Sequence, residues 1–188
     1  MKLLRVVLIG SLLAMGATAA GPATAGKAPK MKVLGTDPSS DGPPALDVTS
    51  LAVGRVGDDL EIRIGVAGML PAIGGYPEIP GIEWIFDVGS KTFLAEAYVS
   101  STGERFRFLL FEVFDDGYKQ LDPLEGTYDS ADGYISLKVP LEAIGARKGT
   151  KISGTGPPGT PDVDAHLHIG TVTLYPDTMA TTKDFVVP

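Results

Sequence analysis

Three aspartates stand close together in a segment that is expected to form a loop. Asp37, Asp41 and Asp47 are interspersed with Pro, Ser and Gly, which favour turns over regular structure. Calcium takes roughly six to eight oxygen ligands, commonly several carboxylates together with backbone carbonyls that such a loop leaves free. The spacing therefore predicts a structural calcium site at Asp37, Asp41 and Asp47. The alternative is plain turn formation, because an Asp before Pro or Gly bonds to its own nearby backbone.

A second polar group lies near the end of the chain. Asp162, Asp164, His166 and His168 alternate with apolar residues, so on a β-strand all four would project from one face. Two imidazoles and a carboxylate can chelate a transition metal such as zinc. A hydrolytic zinc site also needs a third firm ligand and a general base, and the sequence contains no other His. The same alternation is typical of a solvent-facing strand, which is the alternative interpretation.

A long connection carries candidates for ligand binding. Residues 68–81 are rich in Gly and Pro and contain Tyr76 among several apolar residues. Long loops in compact domains are often functional, so Tyr76 is a predicted ligand residue for a small ligand or a protein. The nearby Trp84 is a second predicted ligand residue, which with Tyr98 could form a platform that stacks on a sugar. Two alternatives stay open: the loop can plug one end of the domain, and Trp84 can belong to the core.

The sequence lacks a signature of nucleophilic catalysis. Cys is absent and no Ser lies in a Gly-x-Ser-x-Gly elbow, so we predict no catalytic residue and no cofactor-binding residue. With 23 acidic residues, however, some pair of carboxylates will lie close together by chance. A metal- or carboxylate-dependent extracellular hydrolase is therefore kept as the alternative function.

Alternation with period two dominates the elements that must position these groups. It predicts two hairpins, one from residues 46–56 and 60–66 and the other from residues 82–88 and 92–100. Residues 105–114 become apolar on both faces, which is typical of a central strand and predicts the most deeply buried strand of the domain. If its outer face is instead uncovered, Phe111 would offer an aromatic binding surface.

Shorter segments complete the predicted fold. Residues 141–146 follow a Pro and predict one short helix. Further short strands are predicted at residues 126–128, 134–139, 151–154, 166–174 and 185–187. About nine strands, separated by turns rich in Gly and Pro, predict an all-β protein with an antiparallel, jelly-roll-like β-sandwich.

The N-terminal residues resemble a secretory signal peptide. Lys2 and Arg5 precede an apolar run that is about half the length needed to span a bilayer, and small residues follow. We expect cleavage after Ala19 or Ala25 and a secreted, extracellular protein. The predicted organisation is a signal peptide at 1–25, a flexible, Lys-rich leader at 26–36 and one β-sandwich domain at 37–188.

Charge limits the classes of partner. The chain has 16 basic and 23 acidic residues, a net charge of −7. Binding to nucleic acid needs clustered Lys and Arg that displace counterions from the phosphate backbone, so an acidic chain disfavours it. No membrane insertion is expected once the signal peptide is removed.

Two segments resemble a known group of domains. The acidic loop at 37–47 leads directly into the first strand, and residues 139–145 (VPLEAIG) precede the closing strands. Together they resemble family 9 carbohydrate-binding modules and DOMON-like domains, which accompany extracellular proteases and glycosidases. The resemblance implies a jelly-roll sandwich, often stabilised by calcium and usually without catalytic activity. The expected function is non-catalytic binding of, or adhesion to, an extracellular polysaccharide or protein.

Overall fold

A computed structural model describes residues 29–37, 46–68, 79–99, 106–129, 132–155, 160–169 and 172–188. These residues form thirteen strands, which lie in two antiparallel sheets packed against each other. The fold class predicted from the sequence, an all-β antiparallel sandwich, is confirmed, whereas the jelly-roll order of its strands stays a prediction. The strands are β1 (Lys32–Thr36), β2 (Val48–Val56), β3 (Asp59–Val66), β4 (Ile79–Val88), β5 (Lys91–Val99), β6 (Phe106–Phe114), β7 (Gly117–Gln120), β8 (Glu125–Asp129), β9 (Tyr134–Pro140), β10 (Lys151–Gly154), β11 (Val163–Ile169), β12 (Val172–Met179) and β13 (Phe185–Val186).

The first sheet has five strands in the order β1-β2-β3-β9-β8. Its hairpin of β2 and β3 follows from the alternation of apolar and polar residues and from a tight turn at Gly57, whose φ of 62° suits Gly. β9 pairs with the other edge of β3, so Ile62 and Ile64 lie in the middle of the sheet and are buried.

The second sheet has eight strands, and β4 is its central member. The path runs β12-β11-β4-β5-β6-β7, while β10 pairs with both β4 and β13. One edge of β4 pairs with β5, and its other edge is shared: β11 pairs with the first part of β4 and β10 with the last part. A seam therefore exists where β10 and β11 meet beside β4.

The core lies between the two sheets and is centred on the inner face of β4. Ile82, Trp84 and Phe86 are fully buried there. The rings of Trp84 and Phe86 stack with centroids 4.5 Å apart, and Phe86 in turn lies 5.9 Å from Phe93 of β5. Burial of these large side chains is the main stabilising contribution that this face can make.

A glycine allows β6 and β8 to pack closely at one end of the sandwich. Gly126 of β8 lies directly beneath the ring of Phe108, and a Cβ at that position would be 2.5 Å from the ring. Any larger residue would have to displace Phe108. Gly126 therefore lets the two sheets approach closely at this point.

The predicted flexible leader is wrong for its last five residues, because they form β1. Leu34 is fully buried, and its carbonyl accepts a hydrogen bond of 3.0 Å from the amide of Thr182. Three nearby Lys residues suggested solvent exposure, but only one side chain of the strand needs to point inward for β1 to pair with β2.

The predicted short helix at 141–146 is also wrong. The segment is a series of turns, in which the amide of Gly145 bonds to the carbonyl of Glu142 and the amide of Ala146 bonds to that of Leu141. These bonds span three and five residues, so the repeated four-residue bond of an α-helix is not established. Among the described residues, no helix is long and apolar enough to cross a membrane.

β6 is not the most deeply buried strand, contrary to the sequence-based expectation. It lies next to the edge strand β7, and Leu110 is its only fully buried residue. Phe106 and Phe108 pack against the core from the inner face, whereas Phe111 on the outer face is half-buried. The continuous apolar run thus reflects one buried face and one partly exposed face.

A matched pair of substitutions tests this placement of β4 and β6. Phe86→Ala should lower the free energy of unfolding by about 3–5 kcal/mol, because it opens a cavity in the core. Phe111→Ala should cost about 1 kcal/mol, since its ring is not enclosed. Chemical denaturation of the two variants measures both values. Equal losses for the two variants would contradict the open outer face of β6.

Candidate functional site

The outer face of the second sheet carries a strip of apolar side chains, which we call the outer strip. In β5 the residues on either side of Leu94 face the core, and in β6 Leu110 does, so their neighbours in sequence face outward. The register brings Leu94 opposite Phe111 and Val113 opposite Tyr118 of β7. The outer strip consists of Leu94, Leu109, Phe111, Val113 and Tyr118.

The aromatic end of the outer strip is open to solvent. The rings of Phe111 and Tyr118 meet edge to face, with centroids 6.4 Å apart and planes at 77°. Tyr118 is 66% exposed, while Leu94 is only 6% exposed. None of the described strands packs over this face. This face is therefore apolar and exposes aromatic carbon atoms to solvent.

The outer face of the first sheet has a different character. Glu61 and Arg63 of β3 form an ion pair of 2.7 Å, and Ser136 donates a hydrogen bond of 3.2 Å to the same carboxylate. The guanidinium of Arg63 lies 5.0 Å above the ring of Tyr134. Polar side chains on this sheet thus bind one another, so the two outer faces are not equivalent.

An acidic row borders the outer strip. The registers place Asp164 of β11 beside Glu83 of β4, and Glu83 beside Glu96 of β5. Glu96 in turn lies beside Leu109 of the strip. Acidic residues of three neighbouring strands therefore lie in one row, and Glu83 in the middle of the row is buried.

A cavity of about 530 Å³ lies beside β6 and the segment that follows β7. Gln120, which is opposite Phe111 in register, lines it together with the polar groups of Asp122 and Glu142. Its apolar wall includes Leu121 and Leu124. Leu110, which faces the core, also lines this cavity, so the cavity lies on the inner side of β6 and is separate from the outer strip.

The seam between β10 and β11 is closed by the buried carboxylate of Asp162. Its Oδ1 accepts a hydrogen bond of 2.7 Å from the amide of Thr181, and its Oδ2 accepts bonds from the Thr181 hydroxyl at 2.5 Å and the Trp84 indole at 3.3 Å. The backbone carbonyl of Asp162 also accepts a bond of 2.8 Å from Ile85 of β4. Asp162 thus joins the shared edge of β4 to the segment that follows β12.

We call Asp162 and its hydrogen-bond partners Thr181 and Trp84 the latch, and the residues around it leave little spare room. A Cβ at Gly154 would overlap Asp162 Oδ2 and Thr181 Oγ1, so only glycine leaves room for the carboxylate. Burial raises the pKa of the Asp162 carboxyl above its ordinary value of 3.8, while the hydrogen bonds from Thr181 and Trp84 act in the opposite direction. The carboxylate lines a cavity of about 310 Å³, at whose rim Lys151 and Asp184 form an ion pair of 2.9 Å.

The predicted row of four polar groups is broken by Asp162. The strand begins at Val163, and Asp162 turns inward before it, whereas Asp164 lies on the outer side of β11. His166 and His168 occupy positions opposite Gly81 and Ile79 of β4. In the part of the chain that is described, no three metal-binding side chains gather at one place. Zinc binding by this row stays a prediction.

The structure describes only one of the two predicted ligand residues, Trp84. Trp84 is fully buried and uses its indole N–H to bond Asp162, so it presents no ring face to a sugar, and its role as a ligand residue is corrected. Tyr76 lies outside the described residues, as does most of the loop at 68–81.

The predicted calcium ligands are only partly described. Asp37 follows β1, and its amide donates a hydrogen bond of 2.9 Å to the carbonyl of Thr49 in β2. Asp47 directly precedes β2, so Asp37 and Asp47 lie at the same end of this strand pair. Asp41 lies outside the described residues. Asp47 is 1% exposed, and no described residue donates a hydrogen bond to its buried Oδ1. Calcium binding by these aspartates stays a prediction.

The sequence predicted a binding surface at Phe111 only for the case that the outer face of its strand is uncovered. It gave no indication of Asp177. Phe111 was recognisable from the apolar run in β6, but its exposure depends on which strands flank it. Asp177 of β12 is buried and receives a hydrogen bond from the amide of Val48, a contact between residues distant in sequence. No local pattern around Asp177 signals this contact.

Substitution of Asp162 by Asn tests the latch through pH. A raised pKa in the folded state means that the protonated carboxyl favours folding. The stability that this proton contributes is complete below 3.8 and is lost as the pH rises through the raised pKa. The wild type and Asp162→Asn are compared by the difference in their free energies of unfolding, wild type minus variant. This difference should decrease as the pH rises from 3.8 through the raised pKa. Asp184→Asn controls for the loss of one negative charge at the same cavity. A difference that rises with pH would contradict the latch.

No protein-family model, curated protein or solved structure matched this chain, so the assignment of function depends on the described residues themselves.

Proposed function

We propose that this chain is a secreted, non-catalytic binding module that holds a neutral extracellular polysaccharide on the outer strip. The observation that carries the proposal is the outward-facing apolar strip, in which Tyr118 is exposed, Leu109, Phe111 and Val113 are half-buried and Leu94 is buried. The strip extends across the three adjacent strands β5, β6 and β7, which suits an extended polymer.

The composition of the strip favours a sugar ligand. An aromatic ring packs against the C–H face of a pyranose, and Tyr118 combines such a ring with a hydroxyl that can bond to the sugar. Contiguous apolar surface on a soluble protein commonly marks an interaction site. The opposite outer face, where Arg63 and Tyr134 interact, lacks a comparable strip among the described residues.

Charge favours a neutral polymer. The chain has a net charge of −7, and Glu83 and Glu96 stand beside the strip. An anionic polysaccharide or a nucleic acid would be repelled.

Secretion is part of the proposal. It is supported by the positive residues Lys2 and Arg5, the short apolar run and the small residues that follow. An extracellular polysaccharide would be within reach of a protein exported in this way. A protein ligand is the other occupant that an extracellular module could meet, and it is kept as an outcome of the test.

The alternative of a hydrolase gains no support from the buried carboxylate of Asp162. Both oxygens of Asp162 already accept hydrogen bonds from Thr181 or Trp84, and the carboxylate closes a seam. A general acid or base needs a free approach to substrate. Asp162 is better explained as a structural residue.

Binding to neutral polysaccharides tests the proposal. Affinity electrophoresis in soluble β-glucan or xylan, and sedimentation with cellulose or chitin, should reveal retention of the mature protein. Phe111→Ala and Tyr118→Ala should each weaken retention by about tenfold, since each removes a central aromatic contact of roughly 1.4 kcal/mol.

Tyr134→Ala provides the matched control, because it removes an aromatic ring from the other outer face. It should leave retention unchanged. Equal loss in all three variants, or retention by none of the four polymers, would overturn the proposal. Binding only to an envelope protein through the same two residues would replace the polysaccharide by a protein ligand.

A further inference from the structure

The cavity beside β6 belongs neither to the outer strip nor to the latch. Its volume of about 530 Å³ lies within the range of sites that bind small organic molecules. Leu110 lines it, is 1% exposed and belongs to the core, so the cavity reaches the margin of the core. The other apolar residues that line it are Leu121, Pro123, Leu124, Pro140 and Ala143.

The walls of the cavity are held by backbone hydrogen bonds. The amide of Leu121 donates a bond of 2.8 Å to the carbonyl of Leu110, which fixes the segment after β7 along β6. In the turns at 140–146, the amide of Leu141 donates a bond of 2.9 Å to the carbonyl of Asp58, and the side chain of Leu141 is buried. A ligand would therefore enter a site that is already ordered, which lowers the entropic cost of binding.

The rim of the cavity is acidic. Asp122 and Glu142 line it together with Gln120, and the lining that the structure describes contains no Lys or Arg. Both acids are exposed, and neither takes part in an ion pair within the described ranges. An apolar wall with carboxylates at its mouth is complementary to a molecule that combines hydrocarbon with a positive charge.

A second cavity extends the acidic surface. Its volume is about 520 Å³, and it adjoins the first because Pro140 and Glu142 line both. Asp58 and Asp59 also line the second cavity, and Arg55 lies 3.7 Å from Asp58. Glu142 therefore has acids on either side of it, and the summed field of these carboxylates attracts a cation.

We propose that the cavity beside β6 binds a small organic amine. Its hydrocarbon part would lie against Leu110 and Leu121, where it leaves water, and its ammonium group would bond to the carboxylates of Asp122 and Glu142. A metal ion fits less well, because no three metal-binding side chains gather among the described residues. The proposal does not depend on polysaccharide binding, since the outer strip lies on the other side of β6.

Three ligands with the same hydrocarbon chain separate the apolar and the charged contributions. Hexylamine, hexanol and hexanoate would be titrated into the full mature chain near neutral pH and followed by NMR of the backbone amides. Hexylamine should bind about tenfold more tightly than hexanol, because one charge-assisted hydrogen bond contributes roughly that factor. Hexanoate should bind most weakly. The shifted amides should lie at residues 121–124 and 141–146.

Variants connect binding to the rim and to the wall. Glu142→Gln should weaken hexylamine binding about tenfold and leave hexanol binding unchanged. Ala143→Leu fills the cavity from an exposed position, so the protein should fold normally and lose both ligands. Asp184→Asn removes one negative charge at a different cavity and should leave both affinities unchanged.

The wild type and Ala143→Leu decide the proposal between them. Equal affinity of the wild type for hexylamine and hexanol would overturn it, because the acidic rim would then contribute nothing. Hexylamine binding that survives in Ala143→Leu would place the amine elsewhere and would also overturn it. Phe111→Ala should retain hexylamine binding, so loss of polysaccharide binding with intact amine binding would affect only the proposed function.

Discussion

Pairing of β4 along both of its edges is the constraint on which the rest of the structure depends. β5 occupies one edge, and β10 and β11 divide the other, so β4 is enclosed and its inner face can bury Trp84 and Phe86. Division of an edge between two strands leaves a seam, where backbone groups would lose their partners. Asp162 closes that seam with both its backbone carbonyl and its side chain, and Gly154 leaves the space for the carboxylate. The buried acid is therefore a consequence of the strand order.

The same strand order determines what the second sheet presents to solvent. With β4 in the centre, β6 lies next to the edge, and its outward side chains meet those of β5 and β7. Phe111 and Tyr118 therefore come together on a face that no described strand covers. On the first sheet, in contrast, Glu61 and Arg63 neutralise each other. The asymmetry between the two outer faces is the structural basis of the proposed binding function.

The local alternation of residues was sufficient to predict the fold class and most strands, because side chains of a half-buried strand repeat every two residues. It failed where partners distant in sequence decide the outcome. β1 depends on a single inward side chain, Leu34, and on pairing with β2, so the neighbouring Lys residues were misleading. Asp162 shares the period of Asp164 but turns inward because its partners are Thr181 and Trp84. The apolar run of β6 indicated burial on both faces, yet only the position of the strand within the sheet determines which face is covered.

Hydrogen exchange with and without ligand tests the central claim most directly, because it locates the bound polymer on one face of the sandwich. The protein would be exchanged alone and with a saturating neutral polysaccharide identified by retention. Binding to the outer strip should add protection to amides in the exposed edge strand β7 and in the adjoining β6, with β2, β3 and β9 unchanged. Protection confined to the first sheet, where Arg63 and Tyr134 lie, would contradict the outer strip as the binding surface.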